Sequence, residues 1–170
     1  SGNSVVALWS RAYYVINLCN VLIDGMAAKG TAVVGETLSN NYLGEARLVR
    51  AMSYYALLQL YARPYWDGNG GKPGLPLRLA GNTQQADYAL ARSTVAEVYT
   101  QILADLDFAE ANLPLTNANA TLNTTRGHRN TAIGFKTRVY LSMQKYPEVV
   151  TEANKIVSAA APFAATSGVP

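Results

Sequence analysis

The chain has few of the side chains on which catalysis and metal binding most often rest. Of 170 residues one is cysteine and one is histidine. A lone Cys19 forms no intrachain disulfide and builds no zinc site. Beside Leu18 and Val21 in an apolar helical pattern, it reads as a small buried hydrophobe, and it leaves the redox compartment open. His128 stands between Arg126 and Arg129 with no Cys, Asp or Glu at ligand spacing. Flanking cations repel a metal ion, so His128 reads as a loop or helix-start residue. No metal or cofactor is implied. Basic runs are missing as well: the net charge is +3, and Lys and Arg are scattered singly. A nucleic-acid groove needs clustered cations to displace counterions, which excludes DNA and RNA as expected partners. No stretch approaches the about twenty unbroken apolar residues of a membrane span, because Arg11, Asn17 and Asn20 interrupt the longest one. The opening Ser-Gly-Asn-Ser is no basic-then-apolar leader, and the expectation is an internal piece of a longer exported protein.

Acidic pairs are scarce too. Asp105, Asp107 and Glu110 share one segment, but as the charged positions of an amphipathic pattern, with Asp107 and Glu110 expected on a solvated face. Nothing opposes them in the manner that glycoside hydrolysis requires. Gly68 to Gly74 is glycine-rich, yet Gly71-Lys72-Pro73 puts proline where a phosphate loop needs a hydroxyl. The expectation is a non-enzyme.

What the chain has is apolar residues at helical spacing. Apolar residues make up 49% and charged residues 15%, the balance of an ordered globular domain, and 170 residues suffice for one core. Eleven Tyr outnumber three Phe and two Trp, and tyrosine suits positions that are apolar at one end and wet at the other. A first helix is expected from about Ser4 to Ala28, closed by Gly30, with Trp9, Tyr13, Ile16, Asn20 and Ile23 or Asp24 on its inner stripe. Thr31 to Gly35 reads as a turn. A second helix spans roughly Glu36 to Ala62, stopped by Arg63-Pro64. Ala51, Tyr54, Tyr55 and Leu58 recur on one of its sides, and Leu48, Met52, Ala56 and Leu60 on another, which predicts neighbours on both. A third helix opens on a capping box, Thr94 to Glu97, buries Val95, Val98, Tyr99, Ile102, Leu106 and Ala109, and ends at Leu113-Pro114. Residues 115 to 127 read as a loop. A fourth helix runs from about Asn130 to Gln144 and a fifth from Pro147 to about Ala160, before an Ala, Pro, Gly and Ser tail.

The spacing thus predicts an all-α fold of antiparallel helix pairs, residues 1–170 forming a single helical domain. Such pairs resemble tetratricopeptide repeats; Tyr140, Tyr146, Val149, Ala153 and Ile156 are the nearest local match, with Thr137 where a glycine is expected. The connection from Tyr65 to Arg92 is long and rich in Gly, Pro and Asn, and loops of that length are usually functional or disordered. Tyr65 and Trp66, followed by Asp67 and Asn69, form a cluster of ring and hydrogen-bonding groups outside any helix, the combination that grips sugars. These four are the candidate ligand-binding residues. The alternative is that Trp66 folds back on the helices and pins the loop.

Five motifs in order carry a family resemblance. Trp9, Tyr13, Ile16, Asn20 and Ile23 come first. Gly44-Glu45-Ala46-Arg47 with Arg50-Ala51 and Tyr54-Tyr55 follows, then Tyr61-Ala62-Arg63-Pro64-Tyr65 with Gly74-Leu75-Pro76-Leu77. Arg92-Ser93-Thr94-Val95 with Glu97-Val98-Tyr99, on to Leu113-Pro114, precedes Arg129-Asn130-Thr131-Ala132 through Arg138-Val139-Tyr140-Leu141. The chain resembles the helical N-terminal portion of the SusD/RagB group of outer-membrane nutrient-binding lipoproteins. Leu48-Val49 and Ala62 depart mildly from that pattern. The resemblance implies capture of glycans, or sometimes peptides, at the surface of a Gram-negative bacterium and delivery to a TonB-dependent outer-membrane transporter. The helix pairs would pack against the transporter, the loop at 63 to 82 would approach the ligand, and membrane contact would come only through a lipid anchor that this chain does not contain. The rivals are a generic tetratricopeptide-like protein-interaction module and a helical accessory domain of a hydrolase.

Overall fold

The computed structural model describes residues 2–85 and 88–157. The fold is helical throughout, with no strand element among the described residues. Helix α1 (Gly2–Gly25) leads through a wider π-type turn, Met26–Gly30, into the short α2 (Thr31–Val34), and α3 (Glu36–Tyr61) follows. After the long connection come α4 (Val95–Asn112), α5 (Ala120–Thr125), α6 (Arg129–Ser142) and α7 (Tyr146–Ala153). Residue pairings give the register. Trp9 meets Tyr61 with ring centroids 5.0 Å apart, Tyr13 meets Tyr54, and Asn20 meets Arg50, so α1 and α3 are antiparallel. Gln59 bonds Tyr99 while Arg50 bonds Asp105, so α3 and α4 are antiparallel too. Lys136 of α6 reaches Asp107 of α4, and α6 turns back into α7 through Gln144 at a φ of 59°. The result is a row of antiparallel helices, α1, α3, α4, α6 and α7, each packed on the one before it.

Local sequence explains most of these boundaries. The Thr94 hydroxyl accepts from the Glu97 amide at 3.2 Å while the Glu97 carboxylate accepts from the Thr94 amide at 2.7 Å, so two end amides of α4 are satisfied reciprocally. All six residues expected on the inner face of α4 are buried. His128 holds the position before α6, as a helix-start residue, and Pro147 lies in the first turn of α7.

The first helix does not stop at Gly30. Gly30 keeps right-handed helical angles, and a Cβ there would meet the Met26 sulfur. Room for that sulfur favours glycine, and the Thr31 hydroxyl bonds the Met26 carbonyl at 3.0 Å, holding the wide turn. The chain breaks instead at Gly35, whose φ of 84° suits glycine. The expected turn at Thr31–Gly35 is therefore mostly helix. Contrary to the expectation, the combined run Ser4–Val34 is long and apolar enough to cross a membrane by length and composition. In the fold its Asn17 and Asn20 point inward to the long connection, while Val5, Val6, Leu8, Leu18 and Leu22 are exposed.

Three other expectations need correction. Met52, Ala56 and Leu60 do not meet a neighbour: Leu60 is 63% exposed and Met52 40%. Helix α3 does have two neighbours, but α1 and α4 both meet it around Arg50 and Tyr54, leaving that row outside. Residues 115 to 127 contain α5, whose first turn is capped by the Asn119 side chain accepting from the Leu122 amide at 3.0 Å. Helix α7 ends at Ala153, seven residues short of the expected Ala160, and turns at Asn154–Ile156. The tail beyond Val157 lies outside the described residues.

Candidate functional site

The candidate loop is held at its base by a polar network that sequence reading missed. Arg50 of α3 donates from Nε and Nη2 to both oxygens of Asp105 at 2.8 and 2.7 Å, and from Nη1 to Asn20 of α1 at 2.7 Å. Gln101 donates a further bond to Asp105. All three central residues are buried. A buried charge is costly unless paired and hydrogen-bonded, and this fork-to-carboxylate geometry meets both conditions. Asp105 is thus a structural group in the core and not a solvated one. The sequence signal was available: Arg50 and Asp105 stand on the stripes that carry Tyr54 and Ile102.

From this centre the network reaches the connection. The Asn20 amide donates to the carbonyls of Arg78 at 2.9 Å and Ala80 at 3.3 Å. The Tyr54 hydroxyl donates to the Arg78 carbonyl at 2.8 Å and accepts from the Arg78 amide at 2.7 Å. Burial, with an opposing bond from the Arg78 backbone, pushes the Tyr54 phenol up to about 12. Tyr13 bonds the Pro76 carbonyl, Asn17 takes both the amide and the carbonyl of Asn82, and Asp24 accepts from the Gly81 amide at 2.7 Å. Leu75 is buried in the core. A segment with no regular partner strand thereby has its backbone groups satisfied by side chains of α1 and α3.

The start of the connection is folded differently. Gly68, Asn69 and Gly70 all take positive φ, 78°, 54° and 75°, and curl the chain so that the Gly70 amide reaches the Tyr65 carbonyl at 2.6 Å. A Cβ on Gly70 would strike Tyr65 and Ala96. The chain then pairs with the entry to α4, through Gly74 to Ser93 at 2.7 Å and Val95 to Lys72 at 2.9 Å.

The four candidate residues have separate fates. Tyr65 folds back: its ring packs edge-on against Tyr99 with centroids 5.5 Å apart, and the Lys145 ammonium lies 5.9 Å from its centroid. Asp67 pairs with Arg63 at 2.7 Å, and that hydrogen bond holds its carboxyl below the usual range. Asn69 is exposed at the left-handed apex. Trp66 is 58% exposed. The pinning role considered for Trp66 thus belongs to Tyr65.

A second charged cluster lies at the far edge, away from the loop's supports. Lys136 is buried and reaches Asp107 at 2.9 Å, Glu152 at 3.1 Å and Glu110 closer still, while Lys155 bonds Glu110 and Glu152, each at 2.8 Å. Burial alone would lower the Lys136 pKa, but three carboxylates hold it above its ordinary value. Glu110 is mostly covered in this cluster, contrary to the solvated face expected for it; Asp107 is exposed as expected. Every carboxylate of the Asp105, Asp107 and Glu110 series is engaged by a cation. Among the described residues no group of His, Cys, Asp and Glu could hold a metal ion.

The molecule so far is a helical scaffold that fixes one connection rigidly and presents an indole at that connection's root. Its helical fold is shared with known proteins. The family described as "starch-binding associating with outer membrane", the SusD-like family, matches residues 2–141, and the chain belongs to it. It is 28% identical over 160 residues to the SusD-like protein P2 of Formosa agariphila, covering 94% of this chain and 28% of that protein. A SusD superfamily protein of Bacteroides fragilis superposes with a TM-score of 0.79 at 30% identity, over 91% of this chain and 35% of that one. A SusD-like carbohydrate binding protein of Bacteroides vulgatus superposes with a TM-score of 0.73 at 26% identity, over 87% of this chain and 30% of that one. The chain thus spans about a third or less of the length of these relatives.

Proposed function

We propose that this chain is the helical part of a non-enzymatic glycan-capture lipoprotein of the bacterial outer membrane, which delivers its ligand to a TonB-dependent transporter. Family membership supports the outer-membrane and sugar-binding parts of this reading. In it, the helix row is the scaffold packed against the transporter, and the root of the long connection meets the glycan. Trp66 supplies the apolar face on which a sugar ring stacks, and Asp67 and Asn69 supply hydrogen bonds to hydroxyls. The observation that carries the site is the exposure of Trp66 on a loop whose Tyr65 and Asp67 are tied down. An indole left in water on a fixed backbone needs no ordering when a ligand arrives.

The test is calorimetric titration of the full-length protein with soluble neutral and acidic polysaccharides, parent against Trp66→Ala. Weaker binding with an unchanged melting temperature supports the assignment. Unchanged affinity with a lowered melting temperature returns Trp66 to a structural role and removes the loop from the binding site. A generic protein-interaction module is the second reading. Its support is an apolar cleft of about 350 Å³ between α1 and α3, lined by Val15, Leu18, Leu22 and Val49 among others.

A further inference from the structure

Charge separates the candidate loop from a site built for neutral sugars alone. Four cations lie along the turn from Arg63 to Lys72, the entry to α4 and the turn between α6 and α7. Two of them are committed. Arg63 is paired with Asp67, which neutralises the carboxylate nearest Trp66. Arg92 is spent on the Gly74 and Tyr61 carbonyls at 2.5 and 2.6 Å. The other two make no such contact, although the charge of Lys72 adds to that of Arg63 at Asp67. Lys72 lays its stem toward Gly68, its Cε 3.5 Å from where a Cβ on that glycine would stand. Lys145 holds its ammonium 5.9 Å from the Tyr65 ring. Neither makes an ion pair with a described residue.

The acids that could offset them are few. Glu97, at the entry to α4, is occupied by the amide and hydroxyl of Thr94 at 2.7 and 2.8 Å. Glu148, three residues beyond Lys145 on α7, remains. Among the described residues, two ammonium groups without an ion pair therefore flank a loop that exposes an indole, with Asp67 already paired and Glu148 the carboxylate left. Tyr146, next to Lys145, is exposed as well, at 57%.

We infer that this loop recognises acidic glycans, those bearing uronate carboxylates or sulfate esters, with Trp66 stacking on a sugar ring while Lys72 and Lys145 meet its anionic groups. The inference rests on the glycan-binding reading of the same loop and adds the class of sugar. An exposed ion pair between mobile partners is worth little, because ordering two long side chains offsets the attraction. A ring held on Trp66 changes that balance. Its anionic substituents are then fixed near the lysines, and each contact is a charge-assisted hydrogen bond to a positioned group. Neutral chains would stack on the same indole without this increment. The closeness of Lys145 to the Tyr65 ring also keeps its stem ordered before the ligand arrives, through the attraction of a cation to an aromatic face.

The experiment uses the full-length protein, an oligogalacturonide and an uncharged laminari-oligosaccharide of equal length, each titrated at low and high salt. The parent should bind the acidic probe more tightly, and added salt should erode that preference. The Lys72→Gln, Lys145→Gln double variant should lose roughly tenfold more affinity for the acidic probe than for the neutral one, as expected for losing charge-assisted contacts. Its melting temperature should stay that of the parent. Equal loss on both probes, or a parent that prefers the neutral probe at low salt, would overturn the inference while leaving the glycan site in place. The Trp66→Ala variant separates the two ideas: if it alters the affinity for neither probe, the loop is not the site, and the acidic preference falls with it.

Discussion

Residues 74–82 and residues 65–69 belong to one connection, yet the first stretch is bonded by side chains of two helices while the second leaves its largest ring in solvent. The difference lies in what each stretch runs beside. Residues 74–82 pass along the polar seam between α1 and α3, where Tyr13, Asn17, Asn20, Asp24 and Tyr54 supply donors and acceptors to an irregular backbone. Residues 65–69 have already turned out of α3 and are held by their own curl and by one ring on Tyr99. A segment with no secondary structure of its own can thus be as fixed as a helix, provided side chains complete its hydrogen bonds. The same comparison holds for charge. Arg50 and Asp105 are fully enclosed and join three helices, whereas Arg63 and Asp67 lie at the surface and join only neighbours in one turn.

The contrast can be broken most forcefully at its buried end. Asp105→Ala leaves the Arg50 guanidinium enclosed without its counter-charge, and equilibrium denaturation should show a loss of about 3–5 kcal/mol. A loss under about 1 kcal/mol would mean that water reaches the pair. Next comes Leu58→Ala, a cavity in the buried face of α3 that should cost about 2–5 kcal/mol and lower the melting temperature. Tyr54→Phe sharpens the comparison, since it removes only the hydroxyl that both donates to and accepts from Arg78. Leaving those backbone groups unsatisfied should cost about 1–3 kcal/mol, with faster amide exchange at Arg78 and no change at Gly70.

Acid should have a smaller effect, and at the other edge of the row. Burial opposes ionisation of Glu110, but the hydrogen bonds from Lys136 and Lys155 outweigh it and hold the carboxyl below its ordinary value of 4.5. The folded state therefore binds that proton later than the unfolded chain does. The contribution is whole above pH 4.5, drains as pH falls through the depressed value, and should be missing from the acid titration of Glu110→Gln. The smallest change belongs to the exposed end: Trp66→Ala should shift stability by no more than about 0.5 kcal/mol in a thermal melt. A large shift there would erase the distinction between the two halves of the connection.

Much of the helical row was legible because its signals are local. The capping box at Thr94–Glu97, the stop at Arg63-Pro64 and the inner face of α4 each depend on residues within a turn or two of one another. The candidate loop was legible in part. Its turn residues and its rings stood out, but which ring packs and which is exposed depends on Tyr99 and Lys145, residues 34 and 80 positions from Tyr65. Glu110 was misjudged because a charge on an amphipathic helix looks the same in sequence whether it faces water or a buried lysine. Met52, Ala56 and Leu60 were misjudged in the opposite direction, since an apolar row says only that burial would be favourable.

The sequence by itself therefore determined the helices, their order and most of their ends, since the 3.6-residue period and the capping groups act within a single segment. Only the tertiary structure decided which side of α3 is covered, that the first helix widens at Met26–Gly30 and breaks at Gly35, that Arg50, Asp105 and Asn20 form one buried centre, and that Trp66 stands free. Each of these turns on a pairing between segments far apart in the chain, and whether a polar or apolar side chain is satisfied there depends on the partner that packing brings to it.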